Sequence, residues 1–247
     1  MSLPLQTIAT RLRGLEEAII NKLLDRAQFR VNSVAYTPGQ SHFVPKEAQS
    51  LFELRLLYQE SMDAQFGRYT IPEERPFYTG LAYPKRQIQL PDTGIHIQDL
   101  EIVNVTGKIR IAYLDLLPLL CQSGDDGQYG SSVEHDVICL QALARRIHYG
   151  AIYVAESKLQ ENPQKYRPLI EDQNEDAILM TLTRKEVEAQ IMERIQRKVV
   201  AVQAHSDEES RNLIAPETIV SFFKDWIIPL TKEGEVRYLL QRPLEVV

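Results

Sequence analysis

GSSVEHDVICLQALARRIHYGAIYVAESKLQ, residues 130–160, reads as one long helix. Its apolar positions are Val133, Val137, Leu140, Ala144, Ile147, Ala151 and Val154. The alternating four- and three-residue steps line one face of an α-helix. The next position on that face is Lys158, and Arg146 lies one place off it. Cations at the edge of a packing face call for an anionic partner, because unpaired buried charge is costly.

Helical periodicity extends to most of the chain. Residues 4–30 carry a stripe on Leu5, Ile8, Leu12, Leu15, Ile19 and Leu23, with Arg11, Arg13, Glu16 and Glu17 mostly off it. A second helix is expected from Pro45 and Lys46 to near Gly67. Residues 108–121 suit a buried helix, and residues 163–171 and 175–181 suit short ones. Residues 184–204 form a stripe on Val187, Ile191, Ile195 and Val199. The last helix is expected over 216–242, with Pro216 in its first turn and Pro229 kinking it. Residues 72–98 are proline-rich and predict irregular structure with one short helix. Residues 99–105 suit a short strand that has no evident partner, and residues 205–212 a charged loop. These elements predict an all-α protein, a single helical-bundle domain over 1–247 built around the long helix.

Composition narrows the function. With 44% hydrophobic and 25% charged residues the chain falls among ordinary globular proteins. A net charge of −6 argues against nucleic acid as a partner. No apolar run approaches the roughly 20 residues that span a bilayer, and the N-terminus lacks a signal-peptide core. Cys121 and Cys139 alone make no disulfide framework, so a cytoplasmic location is expected. No HExxH, paired CxxC or glycine-rich phosphate loop occurs, so neither a metal nor a cofactor is expected. His135 and His148 read as structural. Ser131 and Ser132 beside His135 lack an acid to orient the histidine as a base.

Further polar residues lie beside apolar faces. Glu188 shares a face with Arg184, Ile191 and Ile195, and Thr231 and Glu235 share a line with Ile227 and Tyr238. Each alone reads as a solvated charge or a structural salt bridge. Three helices offering such groups beside an apolar seam suggest an internal site for a small anion. Arginine and lysine suit carboxylates, and Glu188 can accept from a hydroxyl. Desolvation would raise the pKa of Glu235 and make it a proton donor.

The runs CLQALARRIHYGAIYVAESKLQ (139–160), IINKLLDRAQF (19–29), LTRKEVEAQIMERI (182–195) and IIPLTKEGEVRYLLQR (227–242) closely resemble eukaryotic-type chorismate mutases. GSS at 130–132 and PEERPFY at 72–78 match in order, so the likeness covers nearly the whole chain. The resemblance implies an all-helical homodimer that rearranges chorismate to prephenate, on the path to phenylalanine and tyrosine, without a cofactor. It implies that Arg146 clamps a substrate carboxylate and that Thr231 helps hold the second. Lys158 and a protonated Glu235 would bond the ether oxygen, and Glu188 the ring hydroxyl.

Three departures from the family pattern shape the expectations. Ala9 stands where the family has a carboxylate-binding arginine. Arg13, one turn on, is the better substitute. Arg184, which replaces a family asparagine, either pairs with Glu188 or supplies the missing cation. Arg146 and Lys158 are twelve residues apart rather than eleven, about 120° apart on a regular helix. A π turn within 151–153 would restore their shared face. Arg68, Gly130 and Ser131 match the fungal effector pocket for tryptophan and tyrosine, although Gly67 and Glu134 replace an arginine and a threonine there. The competing reading is a catalytically silent homologue that serves as a small-anion-binding or regulatory subunit, and Ala9 keeps it alive.

Overall fold

The computed structural model describes residues 4–40, 48–82, 93–95, 97, 99–204, 209 and 211–243, and among these every regular element is helical. The first half comprises α1 (Leu5–Arg26), α2 (Leu51–Gln65), α3 (Thr106–Leu120) and α4 (Tyr129–Tyr149). A π-helical turn, Gly150–Val154, carries α4 directly into α5 (Ala155–Glu161). Then come α6 (Pro163–Glu171), α7 (Glu175–Leu182) and α8 (Lys185–Gln203). The last helix is α9 (Pro216–Phe222), a second π turn (Phe223–Ile227) and α10 (Ile228–Gln241). Pro229 lacks the N–H that would bond the Asp225 carbonyl, and its ring crowds that carbonyl; the wider turn before it absorbs both effects.

Local chemistry sets several boundaries. α2 starts at Leu51 because Ser50 and Glu53 form a capping box: the Ser50 hydroxyl accepts the Glu53 N–H (3.2 Å) and the Glu53 carboxylate accepts the Ser50 N–H (2.9 Å). The expected start at Pro45 and Lys46 lies outside the described residues, and residues 48–50 are not helical. The expected strand over 99–105 is instead a 3₁₀ turn, Leu100–Val103, started by the Asp99 carboxylate accepting the Glu101 N–H. Its β-branched residues favour a strand only where another strand can pair. No described residue between 72 and 98 is helical, so the short helix expected there is absent from the described part. Most of the loop expected over 205–212 lies outside the described residues.

The α4–α5 rod is the axis of the fold. α1, α2 and α3 pack on α4, and α10 packs on the π turn and α5. Two apolar clusters meet along the rod. One includes Val133, Val137, Leu140, Leu143 and Ile147 of α4. The other includes Tyr149, Ala151, Ile152 and Ala155. Fully burying each large aliphatic side chain contributes about 1.5–3 kcal/mol.

Two buried polar contacts fix the partners of α4. Asp136 accepts from Arg26 Nε (2.5 Å) and from the Tyr36 and Tyr113 hydroxyls (2.6 and 2.7 Å). Arg26 is itself fully buried and also donates to three backbone carbonyls, so the pair is compensated. At the other end of α4, His148 Nε2 accepts the Val105 N–H (3.1 Å) while Nδ1 lies 2.7 Å from the Ala144 carbonyl. These bonds require the neutral Nδ1–H tautomer. Burial, the larger influence, pushes its pKa down to about 3.

Candidate active site

Where the two apolar clusters meet, α1, α4, α5, α8 and α10 leave a cavity of about 330 Å³. That is within the range of small-molecule sites. Arg146, Lys158, Glu188, Thr231 and Glu235 all line it, as do Arg13 and Arg184. The π turn is why Arg146 and Lys158 share the cavity. It absorbs one residue of the twelve between them, which reduces their angular separation from about 120° to about 20°.

Arg146 is 3% exposed. Its Nη1 donates to Thr231 Oγ1 (2.7 Å), and the Thr231 hydroxyl donates back along its own helix to the Ile227 carbonyl (2.6 Å). Its Nη2 is 3.8 Å from Glu16. Its Nε is buried and has no hydrogen-bond partner in the protein. Burial, the largest influence, lowers the guanidinium pKa, and the Glu16 carboxylate opposes that. A desolvated guanidinium with an unused donor is a site prepared for an anion.

Lys158 Nζ lies 3.0 Å from Glu235 Oε2 and 3.4 Å from the Leu182 carbonyl. Burial raises the Glu235 pKa, and Lys158, then Arg146 and Lys232, act against it. Burial is the larger influence, so the net shift is upward, toward the protonated, donating form. The two adjacent donors can converge on one oxygen of a bound molecule.

Glu188 does not pair with Arg184. It accepts from Lys232 Nζ (3.0 Å) across the α8–α10 interface, because Arg184 precedes the first turn of α8 and sits exposed at the cavity mouth. Arg13 is also exposed there, and its Nη2 donates to Thr10 Oγ1 (2.8 Å). Arg11 is held elsewhere by Glu73 (3.0 Å) and by the Tyr149 ring, 4.8 Å away. Ala9 lines the cavity, so no guanidinium reaches inward from that position.

Three cavity residues, Glu16, Arg194 and Lys232, are not among those the sequence singles out. Glu16 is 1% exposed and accepts both arms of Arg194 (2.9 Å each). Glu16 lies four residues after Leu12 and three before Ile19, so it shares their face; Arg194 lies one place off the α8 stripe, as Arg146 does on α4. Arg194 and Lys232 bring the cavity's cationic side chains to six, against three carboxylates. In a chain of net charge −6 this is a local concentration of positive charge suited to a dianion.

Ser131, Ser132 and His135 form no nucleophile–base pair. His135 Nδ1 bonds the Ser131 backbone carbonyl (2.8 Å), and the Ser132 hydroxyl donates to the Tyr129 carbonyl (3.0 Å). Arg68 is not brought beside Gly130 and Ser131 within the chain. It pairs with Asp63 (2.9 Å) and Glu74 (3.0 Å), and Asp63 also accepts from Gln141. Ser131 lies ten residues before Gln141 on α4, roughly 15 Å along the helix. Among the described residues no cluster of His, Cys, Asp or Glu side chains is arranged to hold a metal ion.

No family model matches the chain. Chorismate mutase 2 of Arabidopsis thaliana is 35% identical to it over 250 residues, covering 97% of this chain and 93% of that protein. The crystal structure of a Candida albicans chorismate mutase in complex with L-Trp is 33% identical, with a TM-score of 0.88 over 97% of this chain and 92% of that one. A second structure, AtCM1 with phenylalanine bound in its allosteric site, is 36% identical with a TM-score of 0.87, covering 98% and 97% of the two chains.

Proposed function

This chain belongs to the chorismate mutase family and is an isomerase that converts chorismate to prephenate, and from that premise we propose how its cavity carries out the reaction. Arg146 holds one substrate carboxylate through its free Nε, and Thr231 takes part in holding the second. Lys158 and protonated Glu235 donate to the ether oxygen, where negative charge grows as the C–O bond breaks. Glu188, oriented by Lys232, accepts from the ring hydroxyl. The enclosed volume favours the compact conformer in which the reacting carbons meet. The donors are fixed before the substrate arrives and cost no reorganisation during the reaction. Arg13 and Arg184 at the mouth supply the outer positive charge in place of an arginine at position 9.

The observation that carries this reading is the buried Arg146 Nε without a protein partner, in the same cavity as the Lys158–Glu235 pair. The test is to incubate the purified protein with chorismate and follow its loss and prephenate formation. Acceleration above the uncatalysed rate that is abolished in Lys158→Ala supports the assignment. Acceleration that survives in Lys158→Ala moves the chemistry elsewhere, and no acceleration would favour a silent regulatory subunit.

We also propose a homodimer, formed through α2 as a single-domain protomer. Tyr58 and Met62 of α2 and Phe66, which caps it, recur every four residues and are 65%, 45% and 76% exposed. They form an apolar stripe that a second copy would cover. A partner protomer would also supply the Gly130–Ser131 end of an effector site that Arg68 cannot reach within one chain. Tryptophan and tyrosine are the proposed effectors; the bound L-Trp of one relative and the phenylalanine of another support an aromatic amino acid. Among the described residues no helix is long and apolar enough to cross a membrane. The free, buried Cys121 and Cys139 support a reducing, cytoplasmic location.

A further inference from the structure

Two glycines in helices stand where the α4–α5 rod crosses α10. Neither needs glycine for its backbone angles: Gly150 has φ −60° and ψ −50°, ordinary helical values. Glycine inside a helix is destabilising relative to alanine. The space around them supplies the reason. A Cβ on Gly150 would lie 2.7 Å from Thr231 Cγ2, and a Cβ on Gly234 would lie 2.5 Å from Ala151 Cβ. Both contacts are closer than carbon atoms can approach.

The pairs are reciprocal. Gly150 on the π turn receives Thr231 of α10, and Gly234 of α10 receives Ala151 of the π turn. Ala151 is part of the turn that absorbs the extra residue between Arg146 and Lys158, so the turn and Gly234 depend on each other. Each glycine adjoins one half of the site. Thr231 bonds Arg146 (2.7 Å), and Glu235, the residue after Gly234, bonds Lys158 (3.0 Å).

We propose that Gly150 and Gly234 are positioning residues for the rearrangement, the first setting the Arg146–Thr231 carboxylate clamp and the second setting the Lys158–Glu235 donor pair. The inference rests on the site roles assigned above. A methyl group at position 234 must push α10 off the π turn by roughly 1 Å, and a displacement of that size at reacting groups can cost about 100-fold in rate.

The two glycines have different signatures. Gly234→Ala lowers kcat by roughly 100-fold with little change in KM. It also moves the alkaline limb of the kcat profile to higher pH. Glu235 faces Lys158 on α5, Arg146 on α4, Lys232 on its own helix and Tyr166 on α6. Withdrawing it from Lys158 removes the strongest influence that favours the carboxylate. Gly150→Ala, which displaces Thr231, mainly raises KM.

Rescue by a complementary cut provides the test. Ala151→Gly is combined with Gly234→Ala, and Thr231→Ser, which removes Cγ2 and keeps Oγ1, with Gly150→Ala. Kinetics and thermal melts are recorded for the single and double variants. The inference requires each second substitution to restore its own glycine variant and not the other. Gly234→Ala that melts cooperatively with kcat within about twofold of the parent and an unmoved alkaline limb overturns it, and so does failure of Ala151→Gly to restore activity in a folded double variant. Should either glycine variant not fold, the folded double variant is compared with its second-site single variant, and equal kinetics in that pair are required. Full turnover in both Lys158→Ala and Glu235→Ala would instead overturn the site assignment itself.

Discussion

Arg146 donates to Thr231 Oγ1 at 2.7 Å from one end of its guanidinium while its Nε remains buried and unpartnered. The protein thus orients this arginine with neutral bonds and leaves most of its charge for the ligand. Glu16 is near enough to influence it at 3.8 Å but spends both oxygens on Arg194. The first prediction follows from this division. Arg146→Ala removes a desolvated charge–charge contact, costing about 2–5 kcal/mol, or roughly 30- to 5,000-fold in kcat/KM. Arg146→Lys recovers little, because an ammonium cannot bond Thr231 and a carboxylate in one plane. Steady-state kinetics on chorismate check both.

Ala9 faces the same cavity from α1, where Arg13 and Arg184 stay at the mouth. An inward guanidinium there would add a charge-assisted bond to a substrate carboxylate. Ala9→Arg is therefore expected to lower KM or raise kcat/KM by roughly 10-fold, equivalent to about 1.4 kcal/mol. An unchanged kcat/KM in a folded variant would show that the outer cations already serve this role.

Much of this site is legible in the sequence, because helical periodicity is local. The stripe along residues 130–160 points to Arg146 and Lys158, and their one-residue offset from the family pattern points to a π turn that the fold contains. The residues that escaped depend on what a distant helix places opposite. Glu16 looked like one of several charges on α1 until Arg194, on α8, gave it a buried partner. The sequence leaves Arg184, one turn away, as either a partner for Glu188 or a replacement cation, and α10 brings Lys232 to Glu188 instead. The β-branched run before α3 suggested a strand because nothing local reveals that no second strand exists among the described residues. Gly150 and Gly234 carry no signal in sequence, since their significance is the separation between two helices.

With the proposed donor role, Glu235 should link activity to pH. Burial raises its pKa above the ordinary carboxylate value, and it donates only when protonated. Activity is therefore full below its pKa in the complex and falls as pH rises through it. A bound dianion moves that limb further up. Glu235→Gln keeps a donor that does not titrate, so its kcat profile should lose the alkaline limb, while Glu235→Ala loses turnover at every pH. A profile of the parent protein that is flat from mildly acidic to alkaline conditions would rule out the donor role.

His148 links stability to pH with the opposite chemistry. It is a base whose folded pKa, about 3, lies below the unfolded value of about 6.5. The unfolded chain therefore binds the extra proton between those values, and the contribution of His148 is full above about pH 6.5. It declines as pH falls through the window, by about 1.4 kcal/mol per unit. Burial disfavours the charged ring first, and protonated Nε2 can in addition no longer accept the Val105 N–H that anchors the start of α3. Glu60 works in the other direction. Burial raises its pKa to about 7 despite three bonds from the Phe77 and Tyr78 backbone N–H groups. Its contribution thus falls as pH rises from about 4.5 to 7, and the two slopes oppose each other where they overlap. The informative measurement is the difference between parent and His148→Gln in urea unfolding free energy across pH 4–8. That difference should be constant above about pH 7 and should shrink as pH falls below 6.5, because only the parent loses the contribution of a neutral histidine. A difference that is constant over the whole range would show that His148 is not held neutral by the fold.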